Sequence, residues 1–408
     1  MSRPTSERKR RRAAPSVDAH ELPVVHLREE RTYLHPLIFQ RAVARPSERI
    51  APGALVELRD REDRFVGRGQ WNAQAPMAVR LLSEDPQEAI DAAFFHRRIA
   101  AAVHLRREVL RLDAVTNAWR VVHAEGDGLS GLVVDRFDRT LVVAFYSAGM
   151  WRLQHWVYDA LLAAFPGADI HATADEHAAR QEGFEVPDGA ALRPVIVSEY
   201  GARFSVPIGG KHKTGFFCDQ RENRRRFGEL VAATGAQRVL DLCCNSGGFS
   251  VYAGLAGARE LTAVDLDEEA VAFAGRNLRL NGLAGKVTQA DLFPWLRDAI
   301  AQGRRWDAVV LDPPKLTRSR EEVMAALKKY LDMNRLALAV VAPGGVFVTC
   351  SCTGLVAEEA FLDMLRRAAH FAGRTVQVID VRGAGGDHPW LAHVNESRYL
   401  KAAFCRVL

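Results

Sequence analysis

The sequence predicts an α/β chain of several domains, in which a β-rich N-terminal unit and a central α+β unit precede a doubly wound parallel sheet. Three observations carry this. From about Gln237 onward apolar strands alternate with amphipathic helical stretches, the pattern of a parallel sheet with crossover helices. Ahead of it, short alternating apolar runs are separated by polar or glycine-rich turns, as in antiparallel strands. The 408 residues also exceed what one core serves, at about 150 residues per domain.

Composition narrows the class. Hydrophobic residues make up 48% and charged residues 26%, which excludes a largely disordered or fibrous chain. The net charge of +5 is uneven: residues 1–20 hold Arg3, Arg8, Lys9, Arg10, Arg11 and Arg12 against Glu7 and Asp18, so the remainder is nearly neutral. Residues 1–22 therefore read as a basic disordered tail, either a plain solvated terminus or a tether for polyanions, and without the apolar core of a secretory signal. Leu336 to Ala357 is uncharged, but Pro343-Gly344-Gly345 and Thr349 to Cys352 interrupt it, so helix, turn and buried strand are expected rather than a membrane span. Six cysteines without C-x-x-C spacing suggest neither a disulfide scaffold nor a zinc site. No metal is expected, and a reducing, cytoplasmic setting fits.

The elements follow in order. Leu55 to Leu58 and Arg64 to Gly69 read as two strands around the polar turn Arg59 to Asp63. Trp119 to Tyr146 reads as consecutive antiparallel strands, with Gly126, Gly128 and Gly131 at one connection and Asp138-Arg139-Thr140 at the next. The parallel-sheet strands are Val239 to Leu242, Leu261 to Val264, Val287 to Gln289, Ala308 to Leu311 and Val346 to Cys350. Ligands of such sheets sit at the carboxyl ends of the strands.

The first of these strands ends in Asp241-Leu242-Cys243-Cys244-Asn245-Ser246-Gly247-Gly248, a small-residue turn entering a helix. Such a turn lets a ligand approach the backbone, although it also serves any strand-to-helix connection. The G-x-G-x-x-G pyrophosphate fingerprint is absent. The second strand ends in Asp265-Leu266-Asp267, where a carboxylate can hold ribose hydroxyls, and the third in Asp291-Leu292-Phe293, which would set an acid and an apolar wall around a base. Helix capping explains any one of these acids; all of them in register with the glycine turn outline an adenosine site lacking a phosphate site.

Together these residues resemble the class I S-adenosylmethionine methyltransferases. Asp312-Pro313-Pro314-Lys315 after the fourth strand looks like the loop of that class where an Asp and a rigid Pro-Pro shelf hold the acceptor. The class places an aromatic residue after Pro-Pro for amine methylation, and here the residue is Lys315. Cys352 leaves the fifth strand beside that loop. Carbon-5 of a pyrimidine becomes nucleophilic once a thiolate adds at carbon-6, and Cys352 at the strand exit is better placed for this than Cys350, which reads as core. A thiol titrates near about 8.5, so Cys352 needs an electropositive neighbour, for which Lys315 is the candidate. Cys218, Cys243, Cys244 and Cys405 are given no chemistry.

Ahead of the first strand, Lys211 to Arg224 mixes basic, aromatic and polar groups and could cover the cofactor or be a solvated hairpin. The chain as a whole resembles the large-subunit ribosomal RNA methyltransferase I family, cytosine-C5 methylators of 23S ribosomal RNA. The resemblance rests on Lys213-Thr214-Gly215-Phe216-Phe217 with Asp219-Gln220-Arg221, on Asp312 to Lys315, and on Ser351-Cys352. His35-Pro36, Gly126-Asp127-Gly128-Leu129, Ser147-Ala148-Gly149, Asp387-His388-Pro389 and Tyr399-Leu400-Lys401 extend it over nearly the whole chain. Leu37, Ser130, Cys218 and the basic tail depart from the pattern.

The resemblance implies a PUA-like RNA-binding domain over 23–100, a central α+β domain over 101–205 and a Rossmann-like S-adenosylmethionine methyltransferase domain over 206–408. It implies Cys352 and Asp312 as catalytic residues and Pro313, Pro314 and Lys315 as substrate contacts. Asp241, Asn245, Ser246, Gly247, Gly248, Asp265, Leu266, Asp291, Leu292, Phe217, Asp219, Gln220 and Arg221 are the expected cofactor contacts. The partner would be 23S ribosomal RNA or a large-subunit assembly intermediate, with no membrane; a homodimer stays open. Uridine-C5 methylation, amine methylation and a non-catalytic RNA-binding factor are the alternatives. His388 reads as a structural partner of Asp387.

Overall fold

In the N-terminal unit, polar and apolar residues alternate in short runs, and these runs fold into one five-stranded sheet. The computed structural model describes residues 22–28, 35–187, 192–209, 216–317, 319–394 and 397–408, so residues 1–21 of the basic tail and Lys211 to Gly215 of the motif lie outside the described residues. The sheet comprises β1 (Val24–His26), β2 (Leu37–Phe39), β3 (Leu55–Arg59), β4 (Phe65–Trp71) and β5 (Met77–Ser83), in the order β1-β3-β4-β5-β2. Alternation is clean in β3, where Val56 and Leu58 are fully buried between half-buried neighbours. The polar turn is closed by the Asp60 carboxylate, which accepts from the Glu62 and Arg64 amides at 2.9 Å.

The central unit begins with α1 (Ala92–His104), whose first turn is capped by Asp91 accepting from the Phe94 amide at 2.9 Å. A four-stranded sheet of β6 (Ala118–His123), β7 (Leu132–Phe137), β8 (Thr140–Phe145) and β9 (Asp169–Ala174) packs on α1, α2 (Ala148–Arg152) and α3 (Gln154–Ala164) around Phe94, Phe95, Trp119 and Phe145. The three antiparallel strands expected between Trp119 and Tyr146 are present; β9, which pairs parallel to β8, is an addition. Helix α4 (Glu176–Glu182) and the hairpin of β10 (Val195–Glu199) and β11 (Ala202–Val206) lead to the last unit.

That unit alternates α5 (Arg221–Thr234), β12 (Arg238–Leu242), α6 (Gly248–Leu255), β13 (Glu260–Asp265), α7 (Glu268–Leu280), β14 (Lys286–Gln289), α8 (Leu292–Ala301), β15 (Trp306–Leu311), α9 (Val323–Ala339), β16 (Val341–Ser351), α10 (Glu358–Phe371), β17 (Val376–Arg382) and β18 (Lys401–Val407). The strand order is β14-β13-β12-β15-β16-β18-β17, with β18 antiparallel to both neighbours and the strands from β14 to β16 parallel. Successive residues of β12 feed opposite faces: Val239 joins Phe204, Phe227 and Phe249, whereas Leu240 and Leu242 join Leu311, Phe347 and Phe361. Helices cover both faces, which is why these strands read as apolar runs.

Two features differ from the expectation. Pro343-Gly344-Gly345 does not separate a turn from the strand but lies inside β16 as a bulge: Trp306 pairs with Val341 and Ala308 with Val346, and Gly344 has φ +78°. Strands β17 and β18 were not anticipated. Among the described residues no helix is long and apolar enough to cross a membrane. Nor does any group of three His, Cys, Asp or Glu there form a metal site.

Candidate functional site

Strand order reverses at β12, flanked by β13 and β15, so the carboxyl ends of β12, β13, β15 and β16 converge on one edge. The turn leaving β12 holds three residues in left-handed backbone, Cys243 at φ +58°, Asn245 at φ +47° and Gly247 at φ +74°. Two of them are not glycine, a concentration of strain typical of ligand-binding turns. A Cβ on Gly248 would lie 2.5 Å from Arg224 Cδ, so the helix can start this close only with glycine there. The turn is tied down from below by Asn277 of α7. Its Nδ2 donates to the Ser246 carbonyl at 2.8 Å, and its Oδ1 accepts from the Ser205 amide of β11 at 2.7 Å.

Three carboxylates line this edge. Asp241 is fully buried and accepts from the Ser250 amide at 3.0 Å and hydroxyl at 2.8 Å, while its other oxygen has no partner among the described residues. Burial pushes it up to about 7. Asp265 accepts from the Asn245 amide at 2.8 Å and the Asp267 amide at 3.0 Å, which makes it a brace of the glycine turn. Beside it Leu266 is 69% exposed. Asp291 caps α8 by accepting from the Phe293 amide at 2.8 Å, and Leu292 is buried behind it.

On the other side of β12, Asp312 follows β15. Its carboxylate accepts from Gln220 Nε2 at 3.0 Å, and Gln220 is oriented in turn by Asn223, whose Nδ2 donates to Gln220 Oε1 at 2.7 Å. Burial, reinforced by the charge of Asp219, pushes Asp312 up to about 7. Pro313 is buried, whereas Pro314 and Lys315 are exposed. Cys352 Sγ lies 4.0 Å from the Pro313 carbonyl oxygen and is half-buried; Cys350 is fully buried, and burial pushes its thiol far up.

A polar cradle fixes the strand exit that carries Cys352. Ser351 Oγ donates to the Tyr330 hydroxyl at 3.0 Å, and that hydroxyl lies 2.9 Å from Thr353 Oγ1. The Lys401 ammonium donates to the Thr353 carbonyl at 2.7 Å and the Tyr399 carbonyl at 2.9 Å. Lys401 is 2% exposed, and burial pushes its amine down to about 8 against the pull of Cys352.

The segment entering α5 divides between two tasks. Gln220 faces Asp312, and Asp219 accepts from the Tyr399 hydroxyl at 2.6 Å, but Arg221 turns away from the cofactor edge. Its guanidinium is fully buried on Asp387 at 3.0 and 3.2 Å. Asp387 also accepts from the Arg120 amide at 3.0 Å and contacts His388 Nδ1 at 3.1 Å, so His388 belongs to a buried polar junction with the central unit. Phe217 is half-buried, and its carbonyl accepts from Arg224 at 2.9 Å. Asn277, Tyr330, Thr353 and Lys401 were not singled out for the site from the sequence. Only Lys401 carries a visible signal, a lysine directly ahead of the apolar run Ala402 to Cys405 in β18.

The family models that match are a PUA-like domain over residues 32–84 and an S-adenosylmethionine-dependent methyltransferase over residues 169–384. The chain is 35% identical over 382 residues to a ribosomal RNA large subunit methyltransferase I from Klebsiella pneumoniae (strain 342), covering 92% of this chain and 94% of that one. It is 34% identical over 380 residues to the protein of the same name from Aeromonas salmonicida (strain A449), covering 91% and 95%. Among solved structures it is similar to SMU.776 in complex with SAH, with TM-score 0.77 at 20% identity, covering 91% and 95% of the two chains. A chain from Streptococcus mutans gives TM-score 0.76 at 19% identity with the same coverage. The last two likenesses concern the fold.

Proposed function

The chain belongs to the ribosomal RNA large subunit methyltransferase I family of S-adenosylmethionine-dependent enzymes, and from that premise we propose that it methylates carbon-5 of a cytosine in 23S ribosomal RNA through a covalent adduct with Cys352. The observation that carries this reading is the thiol at the exit of β16, 4.0 Å from the carbonyl of the Pro313 shelf and next to the strand end bearing Asp312. Its Lys315 neighbour is exposed rather than an aromatic stacking platform, which disfavours amine methylation.

The residues at the β12 edge fit S-adenosylmethionine, which supplies the electrophilic methyl group. The buried oxygen of Asp241 without a partner asks for a donor, and the left-handed turn Cys243 to Gly247 offers close backbone approach. The exposed Leu266 offers an apolar face beside Asp265, suited to an adenine. Asp241, Asn245, Ser246, Gly247, Gly248, Asp265, Leu266, Asp291 and Leu292 would hold the cofactor, with Asp219 and Gln220 closing the side towards the acceptor.

On the acceptor side, the Cys352 thiolate adds to carbon-6 and the ring electrons move towards carbon-5 and the N3 edge. Asp312, pushed up to about 7, is partly protonated at neutral pH, and its protonated form can donate to that edge. Gln220 and Asn223 hold the Asp312 carboxyl in one orientation during this step. After methyl transfer the carbon-5 proton leaves to solvent, its bonding pair reforms the ring double bond and expels the thiolate from carbon-6, and the proton at the N3 edge returns to Asp312. The PUA-like unit gives the RNA a second docking surface. Unmodified 23S ribosomal RNA incubated with protein and S-adenosylmethionine should yield 5-methylcytidine on nucleoside mass spectrometry, and Cys352→Ala should yield none while still binding the cofactor. Methyluridine in the digest would refute cytosine as the acceptor, a methylated amine would refute carbon-5 as the position, and product from Cys352→Ala would refute the covalent step.

A further inference from the structure

The ammonium of Lys401 is enclosed by the site yet forms no ion pair with a carboxylate among the described residues. Lys401 opens β18 directly opposite Ser351 in the strand register, one residue before Cys352. Two of its three N–H groups are used on the carbonyls of Thr353, the residue after Cys352, and Tyr399, just ahead of β18. Neutral donors could satisfy two carbonyls, whereas a buried cation costs several kcal/mol unless an anion offsets it.

The neighbouring groups identify that anion. Glu358 of α10 is engaged by Arg398 at 2.6 Å. Asp312 at the end of β15 is held by Gln220, and burial pushes its carboxyl up to about 7. The Tyr330 hydroxyl of α9 lies on Ser351 and Thr353 and is pushed up to about 12, so it is neutral; the Cys350 thiol is pushed far up by burial. Lys315 is a second cation of this loop, exposed to solvent. Two anions act on Lys401: Cys352 more strongly, and Glu358 more weakly and with its charge already engaged by Arg398.

We propose that Lys401 is a positioning residue that acts through Cys352, its buried positive charge holding the thiol as the thiolate that the addition to the pyrimidine requires. The thiol proton leaves to solvent and Lys401 keeps its own. The proposal rests on the covalent reading given above. It also supplies from the distal strand the electropositive neighbour that the sequence suggested in Lys315. The Lys401 amine carries its charge below about pH 8, so the support is present at neutral pH and fades as pH rises through that value.

Iodoacetamide alkylation of Cys352, followed on its peptide by mass spectrometry across pH in the full chain, reads this directly. At pH 7 alkylation should be roughly three- to tenfold slower in Lys401→Met, with its pH midpoint displaced upward. Lys401→Arg should recover most of the rate. Coinciding profiles for the wild type and a Lys401→Met that still binds S-adenosylmethionine overturn the proposal. If Lys401→Met does not fold, the wild type decides alone: Cys352 must alkylate with a lower midpoint in the native chain than in urea, and equal midpoints sink the idea. Failure of the covalent reading is separate, since it appears as 5-methylcytidine formed by Cys352→Ser, a variant that leaves Lys401 in place.

Discussion

Asp312 is the residue at which stability and function pull in opposite directions. A carboxyl pushed up to about 7 by burial is bound more tightly to its proton in the folded chain than in the unfolded one. The stability it contributes is therefore full below the ordinary carboxylate range and is lost as pH rises towards 7. Asp312→Asn should abolish methyl transfer yet raise stability at pH 8 by about 1–3 kcal/mol, visible as a higher thermal midpoint, with the gain vanishing at pH 4. An unchanged difference between the two pH values would count against the raised titration. Asp312 and Cys352 were legible in the sequence because each lies in a motif at a strand end. Lys401 escaped because its meaning depends on a strand that pairs with β16 from 50 residues further along the chain.

At the scale of elements, the glycine turn shows what a motif leaves unsaid. Its small residues predict close approach of a ligand, but the turn is held in place by Asn277, which no local pattern links to Ser246 or Ser205. Asn277→Ala strands the half-buried Ser246 carbonyl of the turn and the buried Ser205 amide beneath it. It should cost about 1–3 kcal/mol in stability and weaken S-adenosylmethionine binding measured by calorimetry. Stability lost without any change in affinity would mean that α7 supports the sheet but not the turn. The strands were readable for a related reason: those buried on both faces are continuous apolar runs. Strand β17, with Val378 and Ile379 exposed between charged residues at the sheet edge, offers no such run, and the small residues of β18 offer only a weak one. The bulge in β16 hid for another reason, since Pro-Gly-Gly reads locally as a turn whether or not a strand continues past it.

Across the whole molecule, buried charges join the central unit to the methyltransferase unit beside an apolar seam in which Ala118, Phe137 and Val142 share a core with Phe204 and Phe227. Arg106 pairs with Asp127 at 2.6 and 2.8 Å and donates to the Asp387 carbonyl at 2.7 Å, while Arg221 and the Arg120 amide hold the Asp387 carboxylate. Burial alone would raise that carboxyl, but His388 and Arg221 overcome it and hold it well below the usual range. Its contribution is thus present above the ordinary carboxylate range and lost only as pH falls below it. Asp387→Ala takes from buried Arg221 the carboxylate on its two terminal nitrogens, leaving only Glu222 on Nε, and should cost about 3–5 kcal/mol, measured by chemical denaturation at pH 7. A loss below 1 kcal/mol would show that water reaches the junction. The order of the last strands has a consequence in time. Strand β17 precedes β18 in the chain, yet its hydrogen-bonded neighbour in the sheet is β18, so β17 has no ladder to join until β18 has inserted beside β16. Assembly of this edge is therefore a late, non-local event in folding, and the same insertion delivers Lys401 to Cys352. On the covalent reading proposed above, the Cys352 thiol therefore meets the Lys401 charge only once β18 has paired with β16.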